Sequence, residues 1–431
     1  MRTLAFQLFP SLLLILSAFV CLSVDRSNTS LLLGAYFTMF AAYMLLAQRS
    51  FNIKSLLFLA LAMRLMAFGF LPNLSDDLYR FVWDGWCSLR GISPYQFTPS
   101  ELLLRDPSFS QELFAQLNSP EYISVYPPLA QVSFAMTTFL SGGDLMISSG
   151  IFRIQMLLAE SLLVFFLYHL LPEGKFKQVL PWLLLNPLWL LESYGNLHFE
   201  LVMLSFLLGS VVLLVRQKWL LPAVFLALAA SFKLHALILL PYFFFRLGWK
   251  KGALFSAASL GFIGLLYIPL LPNIEIEAFI SSFGLYFKKF EFNASLYYML
   301  RWIRFEWLGY NDIARVGPFL AALSTAFILF ISYRLRKKDF STAYVWIMLI
   351  FLIGATTVHP WYILGMILFG SIADLRFPLL WSSLIFLSYF AYGNENFQES
   401  LLLIGLEYTI VLLFILYELD YLKIFRSFKA R

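Results

Sequence analysis

The sequence predicts an all-α integral membrane protein, a polytopic helix bundle of roughly 12–14 transmembrane helices, some of them short or re-entrant. Three observations predict it. Hydrophobic residues fill 61% of the 431 positions and charged residues only 13%, whereas a soluble domain carries roughly 25% charged residues. Apolar runs of helix length follow one another along nearly the whole chain. Basic residues gather in short clusters between those runs.

The candidate spans are 4–24, 31–47, 54–71, 127–140, 147–171, 178–192, 198–215, 219–232, 235–247, 253–271, 312–335, 341–357, 360–374, 377–393 and 400–422. A full crossing needs about 20 apolar residues, so the shorter runs read as helices that stop around an internal cavity. The run 4–24 is long, is preceded only by Arg2, and lacks a small-x-small cleavage site, so it reads as a first transmembrane helix and not a signal peptide. Aromatic residues, 19% of the chain with Phe foremost, suit lipid contact and interfacial belts. Cys21 in an apolar run and Cys87 in a polar loop make neither a disulfide framework nor a thiolate zinc site.

The basic clusters orient the bundle. Arg49/Lys54, Arg216/Lys218, Arg246/Lys250/Lys251, Arg334/Arg336/Lys337/Lys338 and the tail from Lys423 to Arg431 read as cytoplasmic. The net charge of +6 is thereby explained by topology, and nucleic acid is not expected as a partner. Residues 72–125, 193–197, 233–235, 273–311, 358–361 and 394–399 then fall on the outer face. One conflict of parity remains: four apolar runs lie between 126 and 216, where an odd number of crossings is required. Either 127–140 or 178–192 is therefore re-entrant. No repeat or linker divides the chain, so residues 1–431 form one membrane domain with two outer loops of note, 72–125 and 273–311.

The first of these loops opens with an acid pair. Pro72 marks the membrane exit, Ser75 is placed to cap a short helix, and Asp76 and Asp77 follow. Leu78, Phe81, Val82 and Leu89 give that helix an apolar face suited to lying on the membrane surface. Asp77, Arg80 and Asp84 share the other face. Acids in a first helical turn are stabilised by the helix dipole whatever their function. The chemical reading is that Asp76 or Asp77 is a general base taking a proton from an acceptor hydroxyl, at a depth that a lipid-bound substrate can reach. The loop ends at Tyr126-Pro127-Pro128, where the diproline fixes the start of the next helix.

Four further points place polar groups where a lipid-facing helix would avoid them. Asn186-Pro187 breaks a span ahead of Glu192, Asn196, His198 and Glu200. Lys233 and His235 stand between two short apolar helices, where an ammonium requires a polar cavity, an anionic partner or a snorkelling path. Asn293-Ala-Ser and Tyr297-Tyr298 sit among Lys288, Lys289, Arg301 and Arg304. His359-Pro360-Trp361-Tyr362 forms a turn whose Trp and Tyr suit an aromatic belt. No phosphate loop, HExxH motif or nucleophile elbow is present in the sequence.

Ser75-Asp-Asp-Leu-Tyr-Arg-Phe-Val-Trp-Asp-Gly85, Gly91-Ile-Ser-Pro-Tyr95 and Tyr126-Pro-Pro-Leu-Ala-Gln131 resemble the first outer loop of bacterial polyprenol-phosphate-dependent mannosyltransferases of the GT-C fold. Asn186 through Glu200, Asn293 through Tyr298, and Val358 through Tyr362 resemble later stretches of that family, in order. The resemblance implies GT-C-like outer loops in the cytoplasmic (inner) membrane of a bacterium. It implies inverting transfer of a hexose, mannose, at the outer face, from a polyprenyl-phosphate sugar to a glycan or lipid-linked acceptor. Asp76 or Asp77 would be the base, and Lys233, Arg80 and His235 would meet the donor phosphate. Asp84, Tyr126, Glu192, Asn196, His198, Glu200, Asn293, Tyr298 and His359 would line the substrate site. Trp86 stands where relatives often carry a polar residue, and Glu200 where they carry Asp, which bears on sugar and acceptor identity. No metal is required, because a lipid phosphate already leaves well, although Asp76 and Asp77 would suit a divalent ion.

A transporter or flippase of lipid-linked sugars also uses broken helices and midplane charges, but it calls for paired half-repeats, which the sequence lacks. A non-catalytic scaffold leaves Lys233 and Glu192 without a purpose.

Overall fold

The structure is a computed structural model that describes every residue except 1, 50, 217–219, 272–281, 283, 285–288, 394–396 and 430–431, with residues 2–7 and 421–429 as backbone alone. Lys218, Lys288 and much of the loop expected over 273–311 lie outside the described residues. The chain is all-α and polytopic. Among the described residues the one trace of β structure is a bridge between Phe292 and Thr357.

Three helices open the chain, α1 (Arg2–Ser23), α2 (Thr29–Ala47) and α3 (Ile53–Ala67). The first loop folds as α4 (Asp77–Leu89), α5 (Pro99–Arg105) and α6 (Gln111–Ala115). Then come α7 (Pro128–Ser141), α8 (Leu145–Leu170), α9 (Glu173–Leu184), α10 (Pro187–Leu190), α11 (Glu200–Val215) and α12 (Leu220–Ala230). A 3-10 turn at Leu234–Leu239 leads into α13 (Leu240–Leu247), followed by α14 (Trp249–Tyr267). The last third holds α15 (Leu296–Leu308), α16 (Ile313–Leu335), α17 (Phe340–Gly354), α18 (Leu364–Ala373), α19 (Phe377–Leu384) and α20 (Leu401–Lys429).

Among the described residues five helices have the length and apolarity to cross a membrane: α2, α8, α14 with its 3-10 extension, α16 and α20. Pro187–Gly195 and α11 together are apolar enough but meet at 111°, as a broken span or a re-entrant turn does. Six shorter apolar helices accompany them. The break has a local cause. Asn186 caps the Trp189 N–H at 3.1 Å, Pro187 takes the first helical position, and Leu191–Gly195 winds as a π-turn. Wide turns of this kind are rare and frequently sit at functional sites.

The parity conflict turns on α7. One end of α7 is held at Ser231, whose carbonyl accepts the Leu129 N–H at 3.0 Å. Its other end is held at Ser148, whose hydroxyl meets Ser141 at 2.8 Å. In between it runs beside α4: Phe134 stacks on Phe81 with centroids 4.4 Å apart, and a Cβ on Gly85 would stand 2.1 Å from Thr138 Oγ1 and 2.7 Å from the Phe134 carbonyl. Thus α7 lies along α4 on the first-loop side of the bundle, the placement expected if 127–140 is the re-entrant segment.

Two details of α4 differ from the expectation. Asp76, not Ser75, occupies the N-cap position, and it makes no side-chain cap bond; the Ser75 hydroxyl instead accepts the Asp77 N–H at 3.3 Å. The apolar face of the helix also packs largely against protein. Leu78, Phe81 and Val82 are buried while Leu89 is exposed, because Phe81 enters an aromatic cluster with Phe134, Phe152 and Phe199. Cys21 and Cys87 are free and buried.

Candidate active site

Asp77 lies in the first turn of α4, and the Tyr126 hydroxyl donates to its Oδ2 at 2.8 Å. The diproline after Tyr126 fixes that phenol at the mouth of α7. The Lys233 ammonium stands 5.5 Å from the centroid of the same Tyr126 ring. Lys233 Nζ also pairs with Glu200 Oε1 at 3.2 Å. Four residues from α4, the loop end, the start of α11 and the turn after α12 therefore form one contiguous polar chain. Glu200 is buried and apart from Lys233 its oxygens have no hydrogen-bond partner among the described residues. The Lys233 side chain keeps 17% exposure, and an ammonium has three donors, of which Glu200 takes one.

Asp76 is placed differently from its neighbour. Arg26, in the short turn between α1 and α2, grips both Asp76 oxygens at 3.0 Å and lies over the Tyr392 ring at 5.0 Å. Burial works against the Arg26 charge, but the Asp76 carboxylate outweighs it and lifts the guanidinium above its ordinary value. Arg26 thus occupies Asp76 with a guanidinium, and the acid pair offers one carboxylate gripped in this way and one that, among the described residues, is held by a phenol.

Arg80 and Asp84 are turned inward. Arg80 Nε donates to Asp84 at 2.8 Å and its Nη1 to the Tyr122 carbonyl at 2.9 Å. Asp84 also accepts from Ser124 at 2.5 Å and Gln131 at 3.0 Å. This knot closes the first loop onto α4 and α7. It engages Arg80 Nε and Nη1 with the protein's own groups, while Nη2 is buried with no hydrogen-bond partner among the described residues.

The broken span supplies a second group. Glu192 accepts from Tyr389 at 2.8 Å and from Asn196 at 3.0 Å, with His198 Nδ1 at 3.7 Å. Leu197 is in the left-handed region at φ 64°, unusual for a branched side chain and a form of strain that concentrates at functional sites. Both ring nitrogens of His198 are buried without a hydrogen-bond partner among the described residues. Its ring meets the Trp361 ring at 3.6 Å, edge to face. His359 stacks on Trp361 at 4.1 Å, and His235 and His359 each stand 5.7 Å from Tyr362.

Asn293 and Tyr298 belong to a neighbouring network. Asn293 Nδ2 donates to Glu407 at 3.2 and 3.3 Å, the Asn293 N–H donates to Glu399 at 2.6 Å, and Tyr298 donates to Glu399. Burial raises Glu399 above the usual carboxylate range. Phe292 joins this network to the first: it exchanges backbone bonds with Thr356 and Val358 at 3.0 and 2.8 Å and stacks on His359 at 5.1 Å.

The sequence reading passed over several of these partners. Arg26 stands in a short turn between two apolar runs, apart from the basic clusters. Arg64, Arg153, Glu160 and Glu407 are charges inside apolar runs, the strongest such signal available. Glu160 accepts from Arg64 at 2.8 and 2.9 Å, Trp189 at 2.7 Å and Tyr194 at 2.8 Å. It clamps the π-turn that carries Glu192. Arg153 holds the Tyr194 carbonyl at 2.8 Å from the other side. Among the described residues no group of three or more His, Cys, Asp or Glu is arranged to hold a metal.

A family model described as "Alpha-(1->6)-mannopyranosyltransferase, N-terminal domain" matches residues 13–248, more than half of the chain and the whole stretch from Arg26 to His235. No curated protein and no solved structure matches the chain.

Proposed function

The chain belongs to the alpha-(1->6)-mannopyranosyltransferase family, and from this membrane glycosyltransferase identity we propose that it takes mannose from a polyprenyl-phosphate donor and passes it, with inversion, to a glycan or lipid-linked acceptor on the outer face of a bacterial inner membrane. The single observation that carries the proposal is the chain Asp77–Tyr126–Lys233–Glu200. It joins a loop acid to a cation at membrane depth, the two charges that this transfer needs.

Asp77 is the base. One of its oxygens receives the Tyr126 hydroxyl, which orients the carboxylate, and an acceptor hydroxyl gives up its proton to the other as it attacks the sugar carbon. Asp76, with both oxygens on Arg26, fixes the turn between α3 and α4. Lys233 faces the donor phosphate. Negative charge grows on that phosphate as its bond to the sugar breaks, and a cation held beside it helps more in the transition state than before. The first-loop face holds Asp77 and Lys233 alike, and the sequence's charge distribution assigns that face to the outside. Glu192, Asn196, His198 and Trp361 supply the sugar contacts: an aromatic face with acceptors and donors at its edge suits a pyranose ring.

Purified protein in detergent, given radiolabelled polyprenyl-phosphate mannose and an oligomannose acceptor, tests this directly. Consumption of the donor with release of polyprenyl phosphate is expected. Turnover of a nucleotide sugar with the lipid donor left intact would reject the proposal.

A further inference from the structure

At the face opposite the first loop the helices leave a cavity of about 780 Å³. Its position follows from two helices that run the length of the bundle. The 3-10 extension of α14 reaches the first loop, where the Ser93 hydroxyl bonds the Leu270 carbonyl at 2.8 Å. The other end, at Trp249, lies a 19-residue helix away, or about 28 Å at 1.5 Å per residue. α16 likewise ends beside the cavity, where Arg246 Nη1 donates to the Arg336 carbonyl at 3.0 Å.

The walls are of two kinds. Leu214, Tyr242, Phe243 and Ala373 make an apolar interior between the ends of α8, α11, α13 and α18. Arg246 and Lys251 stand at its rim, both exposed. The one rim carboxylate, Asp339, is committed elsewhere, accepting the Thr342 N–H and hydroxyl at 2.8 Å each to cap α17. The catalytic chain at Asp77 and Lys233 uses none of these residues.

We propose that this cavity is a binding site for an anionic phospholipid, with an acyl chain in the apolar interior and the headgroup phosphate between Arg246 and Lys251. An apolar hollow at a membrane boundary is filled by hydrocarbon more readily than by water. A basic rim between transmembrane helices selects the phosphate of an anionic lipid over a zwitterionic one, whose own cation is repelled. The guanidinium is suited to two phosphate oxygens and the ammonium acts as a mobile point charge beside it. The occupant is a structural or regulatory lipid and not the sugar donor, since the site lies at the far end of α14 from the first loop that carries Asp77.

Native mass spectrometry of the purified full-length protein, titrated with phosphatidylglycerol or with phosphatidylcholine of identical chains, tests the site. Phosphatidylglycerol is expected to be retained in preference. The R246Q/K251Q double variant is expected to lose that preference by roughly tenfold or more, at about fivefold per cation. Ala373→Trp, which fills the hollow and leaves the charges, is expected to lower retention of both lipids. Equal retention of the two lipids by the native protein overturns the proposal whether or not the variants fold. So does a phosphatidylglycerol preference that survives both variants. Displacement of phosphatidylglycerol by millimolar inorganic phosphate would overturn it too, by showing a free-anion site with no part for the acyl chain.

Discussion

Tyr126 donates its hydroxyl hydrogen to Asp77 at 2.8 Å from a phenol that the following diproline holds rigid. The first prediction rests on this bond. Tyr126→Phe removes it and keeps the ring under Lys233, so donor binding is expected to change little while turnover falls about tenfold, the worth of one net hydrogen bond of about 1 kcal/mol or slightly more. Steady-state assays that separate kcat from KM check this; an unchanged kcat with a raised KM would place Tyr126 in donor binding instead.

Asp76 and Asp77 are expected to separate on mutation, although they are adjacent in sequence. Asp77→Asn should abolish transfer with the protein still folded. Asp76→Asn and Arg26→Gln should resemble one another, each retaining measurable activity. Their ion pair is about one-third exposed on both sides, and such pairs are worth about 1 kcal/mol or less. Full activity in Asp77→Asn would move the base elsewhere.

Lys233 and Glu200 call for a double-mutant cycle. Lys233→Ala strands a buried carboxylate and is expected to destabilise the fold by about 3–5 kcal/mol. Adding Glu200→Gln should recover most of that stability. If Lys233 serves only the fold, turnover recovers with it. If it meets the donor phosphate, thermal stability returns and turnover does not. Thermal melts and single-turnover rates on the same preparations distinguish the two.

Gly85→Val is expected to prevent α4 from docking. The added side chain meets Thr138 and the Phe134 carbonyl well inside contact distance. Overpacking of this kind costs about 1–3 kcal/mol where neighbours can yield, and a backbone carbonyl yields least. Loss of folded protein by fluorescence-detected size exclusion is the readout.

Glu399 supplies a pH dependence. Its carboxyl is raised in the folded protein, mainly by burial, so its contribution to stability is complete below its unfolded value and is lost as pH rises through the folded one. Melting temperature should therefore decline over the mildly acidic range as pH increases, and Glu399→Gln should flatten that decline.

The membrane architecture was legible because lipid admits few backbone solutions and hydropathy reads them directly. The broken span was legible from Asn186-Pro187. The status of α7 was not. Gln131, Ser133, Thr137 and Thr138 on α7 are buried, and Gln131 meets α4 by bonding Asp84, but a short run interrupted by such residues reads equally as a thin span. The acid pair and Lys233 were visible as charges in costly places. Their partners were not, because pairing depends on which distant segments meet: Arg26 with Asp76 across 50 positions, Asn293 with Glu407 across 114. Nor could spacing alone show that Arg80 and Asp84, on the expected face of α4, would bond each other and the end of the loop.

The packing of α4 on α7 also fixes an order of events at the ribosome. α4 emerges with Phe81 and Asp84 lacking the surfaces that will cover them, and Tyr126 follows Asp77 by 49 residues. At synthesis rates of about 5–20 residues per second, the acid waits roughly 2–10 seconds for its phenol. During that interval a helix that will end up enclosed waits without its partner, its apolar side uncovered until Pro128 opens the helix that receives it.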